Sequence, residues 1–490
     1  MKLNNATLAS LPVGVTAPAY DRATLTPGIV HIGCGNFHRA HMAVYLDDLF
    51  AMGGDRDWSI LGAGVRAADD KMRTLLEGQD YLSTVTELDP TRTSTRVIGA
   101  MTGFVPVDPT NAPLIAAMSD PAIRIVSLTV TEGGYFIDPK TGTFSPDHPS
   151  IQHDAAHPDT PETAFGAIIA ALKARRAAGV PAFTVMCCDN VPHNGHVTRD
   201  AVTGLCRLFD ADLADWIAAN VAFPNAMVDR ITPATGPREL QMVRDKGVED
   251  DAPVTCESFR QWVVEDNFPT GRPALEKVGV TFTDAVDAYE TMKIRILNGG
   301  HAIIAYPGGL KGIHFVHEAM EDAQIRAFLD KVETDEILHI VPPVPDTDLV
   351  AYKSLILDRC SNPAVADTVR RLCLDGSNRQ PKFIVPSIRD LRAKGSDATG
   401  LILLSALWCR YCFGEDERGD VIEPNDPNWA HLTWVSGKAR ENPAEWLAMR
   451  EVYGDLGDDP VVAARFDELL RAVWAEGSAA VIARYLDGTL

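Results

Sequence analysis

The sequence predicts an α/β protein: a doubly wound, Rossmann-type parallel sheet first, then a mostly α-helical second domain. Three observations predict it. Short apolar runs alternate with helical patterns through the first half of the chain. A glycine-rich turn follows the first of those runs. Past about residue 280 strand signals fade and long helical patterns take over. With 490 residues the chain is too long for one small core, and the change of texture predicts domains at 1–283 and 284–490.

Gly28–Ile32 (GIVHI) reads as the first strand and Arg39–Phe50 as the helix after it. Trp58–Val65 (WSILGAGV), Ala122–Val130 (AIRIVSLTV) and Ala182–Cys187 (AFTVMC) are further strands, the third long and β-branched. Residues 161–178 carry an Ala-rich helix. In the second half, helices are expected over Asp284–Tyr306, Met320–Asp335, Asp346–Asp358, Pro363–Leu374, Leu401–Cys412, Pro460–Ala475 and Ser478–Leu486. Val341–Asp348 is a Pro-rich loop, and Gly414–Asn428 an exposed turn region.

A net charge of −22 argues against general nucleic-acid or anionic-membrane partners. No apolar run is long enough for a transmembrane helix, and the start lacks an apolar signal core. Nine cysteines, an odd number, suit free thiols in a reducing cytoplasm. Cys187 and Cys188, with His193 and His196 nearby, invite a zinc reading. Neighbouring strand residues point to opposite faces, however. Cys409 and Cys412 form the only C-x-x-C pair, on an apolar helix, where buried thiols explain them as well. No metal is expected. No heptad or interface stripe appears, so a monomer is expected.

Gly33-Cys34-Gly35-Asn36-Phe37-His38 follows the first strand and opens a helix. The first glycine allows the tight turn and the second lets backbone approach a pyrophosphate. The third glycine of the usual fingerprint is replaced by His38. Two glycines after a strand also occur in plain turns. After the second strand, Asp69 is the leading candidate for the adenosine ribose, which favours NAD over NADP. Arg66 is a rival partner for a 2′-phosphate, and both are equally at home as surface charges at a helix start. Thr131-Glu132-Gly133-Gly134 and Asp189-Asn190 fall at the ends of later strands, where ligands of open α/β sheets bind. Glu132 is taken as a cofactor contact on that ground, although glycine pairs often mark simple turns.

The sharpest signal is AYETMKIRILNGGHAIIAY (288–306). Wound as an α-helix, Lys293 sits at 0°, Glu290 at about 60°, His301 at about 80° and Asn298 at about 140°. The surrounding isoleucines read as buried. A buried lysine is costly unless paired or neutral, and burial lowers its pKa toward that of a working base. The bland alternative is a core helix with satisfied polar groups. The segment starts the second domain, and domain junctions commonly hold ligand clefts.

GIVHIGCGNFHRAH (28–41), SLTVTEGGYFID (127–138), AFTVMCCDNVPHNG (182–195), FPNAMVDRITP (223–233), ESFRQWVVEDNFPTGRP (257–273) and MKIRILNGGH (292–301) resemble the zinc-independent, polyol-specific long-chain dehydrogenases. The resemblance covers nearly the whole chain. It implies NAD-dependent oxidation of a polyol's secondary alcohol to a ketose, D-mannitol to D-fructose first, and the reverse. By that likeness Lys293 is the general base. Asn190 and Asn298 bind the developing alkoxide, His301 orients substrate, and Glu290 moves protons between Lys293 and solvent. Gly33, Gly35, Asn36, Phe37 and Arg39 form the cofactor turn. Asp229, Arg371 and Arg379 contact substrate. The chain departs from the family's pattern where Gly300 stands for a frequent Ser, predicted to loosen the helix beside His301. Ala68 stands for a frequent acid, and Arg379 for a Lys of different reach. A sugar-acid reductase of the same family, pairing a carboxylate with Arg371, Arg379 or Lys382, is the nearest rival. An arabinitol or sorbitol dehydrogenase, a non-catalytic nucleotide sensor and a zinc enzyme are the others.

Overall fold

A computed structural model describes residues 1–138 and 141–490. The chain divides into two compact units, Met1–Val286 and Asp287–Leu490.

The first unit is built on five parallel strands: β1 (Pro27–Ile32), β2 (Ser59–Ala63), β3 (Met101–Phe104), β4 (Ile125–Leu128) and β5 (Thr184–Cys187). Their order is β3-β2-β1-β4-β5, that of a Rossmann sheet with its switch point beside β1. Helices on both faces bury the strands, which is why β1, β4 and β5 read as nearly unbroken apolar runs. Among the polar exceptions is His31, mid-β1. Register sets it opposite Ser127 of β4, and its Nδ1 lies 2.8 Å from the Ser127 hydroxyl.

The Ala-rich helix runs Ala164–Ala178. Thr163 accepts from Gly166 N–H at its start, and left-handed Gly179 ends it. Its Arg175, 1% exposed, donates to the carbonyls of Met118, Asp120, Ile123 and Pro181. This buried cation is satisfied by backbone oxygens and ties the helix to the chain entering β4.

Two small sheets lie outside the predicted strands. One orders Val15–Thr16, Thr93–Ile98, Ser83–Leu88 and Val254–Glu257; the other orders Thr281–Phe282, Gln261–Val264 and Ala226–Asp229. Most of these strands are four residues or shorter, too short to show periodicity. The 83–98 hairpin turns at Asp89, whose carboxylate accepts from Thr91 N–H.

The second unit is helical. At its centre, Thr399–Tyr411 buries every residue except Arg410. Such an all-round apolar helix is expected only inside a core. It packs on Pro460–Glu476 and on Gly299–Leu310. Trp408 meets Trp446 edge-on at 4.8 Å, and the Trp446 N–H donates to Tyr453 Oη at 2.8 Å.

Several predicted helices are cut. The 39–50 helix divides into α1 (Asn36–Ala40) and α2 (Met42–Ala51) at His41. The 320–335 helix breaks at Asp322, which caps Ala323–Val332 through Gln324 and Ile325 N–H. Only Val369–Leu372 of 363–374 is helical. There Asn362 closes a turn on Ala364 N–H, Ala366 is left-handed, and Thr368 caps Arg371 N–H.

Leu404, fully buried in the central helix, is expected to cost about 2–5 kcal/mol when cut to Ala. Denaturant unfolding followed by tryptophan fluorescence would read this as a lower midpoint.

Candidate active site

In the first unit the polar candidates gather at the carboxyl ends of the strands. Gly33 follows β1 with φ +100, a left-handed conformation that suits glycine. A Cβ there would stand 2.1 Å from the Thr129 carbonyl. Gly35 differs: it is exposed, and nothing lies within 4 Å of where its Cβ would be. Its backbone is open to an approaching phosphate, so the turn fits a dinucleotide.

Asn36 and Arg39 serve this turn from beneath. Asn36 donates to Pro233 O and Thr235 Oγ1 and accepts from Arg39 Nη2 at 2.8 Å. Arg39, 1% exposed, also donates to the carbonyls of Gly35 and Ala252. Its guanidinium is thus held by the turn's backbone and by Asn36. Phe37 stacks on His41 at 4.8 Å.

Asp69 opens the helix Asp69–Glu77. Its Oδ2 accepts from Val65 and Arg66 N–H at 3.1 and 3.0 Å, and its Oδ1 faces the Arg66 guanidinium at 3.3 Å. The acid and its predicted rival are thus one pair. Glu132 is exposed on the turn Glu132–Tyr135. Thr131 before it has φ +66 and ψ 162, a region almost reserved for glycine. Asp189 holds that strained residue. Its carboxylate accepts from Val130 and Thr131 N–H and from Tyr135 Oη at 2.6 Å, and burial raises its pKa. Its place beside Asn190, just past a strand, was the only hint of this role. Asp229, 5% exposed, closes the strand Ala226–Asp229. The neighbouring Arg230 pairs with Glu87 at 2.6 Å.

In the second unit the predicted continuous helix is interrupted. Val286–Met292 and Gly299–Leu310 are α-helical, and Lys293–Asn298 between them is π-helical. Bonding to the fifth residue turns the chain less per residue than an α-helix. Lys293 and Asn298, about 140° apart on an α-wheel, are drawn toward a common face. Lys293 is 7% exposed, and Glu290, Lys293 and His301 all have interaction partners.

A second π-helical stretch, Glu333–Ile337, packs on the first. Its Glu333 is fully buried, and neither carboxylate oxygen has a hydrogen-bond partner among the described residues. Burial pushes its pKa well above the carboxylate range. A Cβ on Gly300 would stand 2.7 Å from Glu333 Oε1. Gly300 therefore marks a close approach of the helix to this carboxyl.

Arg371 carries both hydrogen bonds of an ion pair with Asp367. Arg379 reaches back to the carbonyls of Arg371 and Leu372, so these two arginines do come together. Asp367 was not foreseen; its i, i+4 spacing from Arg371 was the available signal.

Two family models match the chain: the mannitol dehydrogenase Rossmann domain over residues 27–277 and the mannitol dehydrogenase C-terminal domain over residues 285–474. The chain belongs to the mannitol dehydrogenase family. Within that family it is 66% identical to the mannitol 2-dehydrogenase of Cereibacter sphaeroides over 96% of this chain and 99% of that one. A Pseudomonas fluorescens mannitol 2-dehydrogenase, solved as a ternary complex with NAD and D-mannitol, superposes with a TM-score of 0.90. Its identity is 46%, covering 99% of this chain and 100% of that one. A substrate-free D-sorbitol dehydrogenase gives 0.89 at 34% identity, covering 98% and 100%.

Three imidazoles, His31, His38 and His41, are buried beneath the nucleotide turn. Burial lowers the pKa of His31 and of His41 to about 3, and that of His38 well below its ordinary value. Arg39 adds to the effect on His38, and Arg230 and Arg260 to that on His41. Unfolded, all three take up protons near pH 6.5. Their contribution is therefore whole above that pH and lost as pH falls from about 6.5 toward 3, by up to about 1.4 kcal/mol per pH unit for each. Denaturant midpoints at pH 7.5, 5.5 and 4.5 are expected to fall in that order, and His41→Phe to flatten the trend.

Proposed function

We propose that this chain oxidises D-mannitol to D-fructose with NAD, and runs the reverse reduction. The likeness along nearly the full chain to an enzyme solved with NAD and D-mannitol carries this reading. When bound, NAD takes the hydride from the carbon that bears the hydroxyl. The chain's own task is the proton. Lys293, buried and wound toward Asn298, accepts it from the substrate oxygen and returns it as an ammonium in the reverse direction. The Asn298 amide donates to the developing alkoxide, a contribution of roughly 3 kcal/mol in comparable sites; Asn190 is the proposed second donor. His301 orients the hydroxyl, and Glu290 passes the proton on. Asp229, Arg371 and Arg379 are the proposed substrate contacts. Gly33, Gly35, Phe37 and Glu132 are the proposed dinucleotide contacts, with Asn36 and Arg39 acting through the turn.

Asp367 favours a neutral polyol over a sugar acid. It already neutralises Arg371 with two charge-assisted hydrogen bonds, which leaves a substrate carboxylate less to gain there. No helix among the described residues is long and apolar enough to cross a membrane. All nine cysteines are buried, and none is in a disulfide among the described residues; we place the protein in the cytoplasm on that ground. We take the protein to be a monomer, in line with the lack of a heptad or interface stripe in its sequence.

Lys293→Ala is expected to lower turnover by orders of magnitude while NADH binding stays nearly intact. Stopped-flow rates with an unchanged hydride step would refute the role. Comparing D-fructose with a uronate of the same length tests the substrate class directly.

Coenzyme choice follows from Asp69. The protein is expected to prefer NAD to NADP, and Asp69→Asn to narrow the ratio of kcat/KM values about tenfold, by removing charge while keeping an acceptor for the Val65 and Arg66 amides. Equal efficiency with both coenzymes in the unaltered protein would count against Asp69.

A further inference from the structure

The usual third glycine of a dinucleotide turn lets the helix lie close against its strand. Here His38 occupies that place, and its ring lies parallel to that of His31: centroids 3.4 Å apart, planes 15° apart. Both residues are at most 1% exposed. Neither nitrogen of His38 has a hydrogen-bond partner among the described residues. The helix above them stops after five residues and resumes past His41, at φ −120 and ψ −90.

His31 connects to the turn. Thr129 Oγ1 donates to the Gly33 carbonyl at 2.6 Å. That hydroxyl is 2.8 Å from His31 Nε2, and Ser127 Oγ is 2.8 Å from His31 Nδ1. One assignment of protons satisfies all three contacts. Ser127 donates to Nδ1, Nε2–H donates to Thr129, and Thr129 donates to Gly33. The Gly33 carbonyl also accepts from Gly35 N–H at 2.7 Å. The chain of hydrogen bonds therefore ends on the atom about which the turn folds.

We propose that the stacked His31–His38 pair replaces the absent glycine as a positioning device: it holds the Gly33 turn in shape, and so sets dinucleotide affinity, without touching the dinucleotide. The stack keeps the His31 ring in the one plane from which it reaches both hydroxyls. Without the His38 ring, His31 has room to tilt, Thr129 loses its donor, and the Gly33 carbonyl is freer to turn. The proposal rests on the dinucleotide reading of this turn.

The test is NADH titration by fluorescence, with steady-state kinetics, on four variants checked for folding by circular dichroism. His38→Ala and Thr129→Val are expected to raise the Kd for NADH at least tenfold, while kcat at saturating coenzyme changes less than threefold. His38→Phe, which keeps a flat ring, and Thr129→Ser, which keeps the hydroxyl, are expected to recover most of the affinity. A general loss of packing would not give that split between Kd and kcat, nor that recovery. NADH affinity within twofold of the unaltered protein in both His38→Ala and Thr129→Val would overturn the proposal. So would a fall in kcat with Kd unchanged, or His38→Phe binding as weakly as His38→Ala. Should His38→Ala not fold, the Thr129 pair, which removes no ring from the core, decides alone. An unaltered protein that binds no NADH would instead sink the dinucleotide reading.

Discussion

The role proposed for the second unit rests on six residues wound to a fifth-residue hydrogen-bond spacing. On an ordinary α-helix Lys293 and Asn298 diverge, and the base and amide donor proposed there would not face one oxygen. The π winding of Lys293–Asn298 brings their faces together, at the expense of regular bonding at both junctions. Packing supports it. The stretch Glu333–Ile337 and the helix Gly376–Phe383 both lie against it. Gly376 in turn presses on Trp408 and Tyr306, since a Cβ there would stand 2.6 Å from Trp408 Nε1. An irregular segment is thus held between regular ones.

The first unit solves a similar problem with buried polar braces. A turn that presents backbone to a ligand cannot be held from the ligand's side. Arg39 and Asn36 bond to it from below, and Asp189 clamps strained Thr131 from the end of β5. Each brace is a charged or amide side chain that bonds at least one backbone group. Each would leave a costly orphan if its partner were removed.

The sheet was legible because strands buried on both faces are mostly apolar, and β1, β4 and β5 are such strands. The short strands 15–16, 226–229 and 261–264 carry too few residues for a period to show. Lys293, Asn298 and His301 stood out because polar groups are conspicuous in an apolar run. Their mutual angle did not, because nothing in KIRILN distinguishes a π turn from an α turn. That difference lies in packing by residues forty positions away. The close approach of Glu333 to Gly300 was hidden for the same reason. Asp69 and Arg66, read as competitors, are one ion pair at a helix start.

Three uncomfortable groups lie beside the segments proposed to act. Thr131 is strained next to Glu132. Glu333, buried without a partner, abuts the residue before His301, and His38, equally without one, lies under the nucleotide turn. Each costs stability that a plain apolar residue would not. Proteins keep such costs where a geometry is needed that regular structure does not supply. The apolar helix Thr399–Tyr411 and the sheet tied to Arg175 are regular and densely buried, and they provide the stability against which those local costs are set.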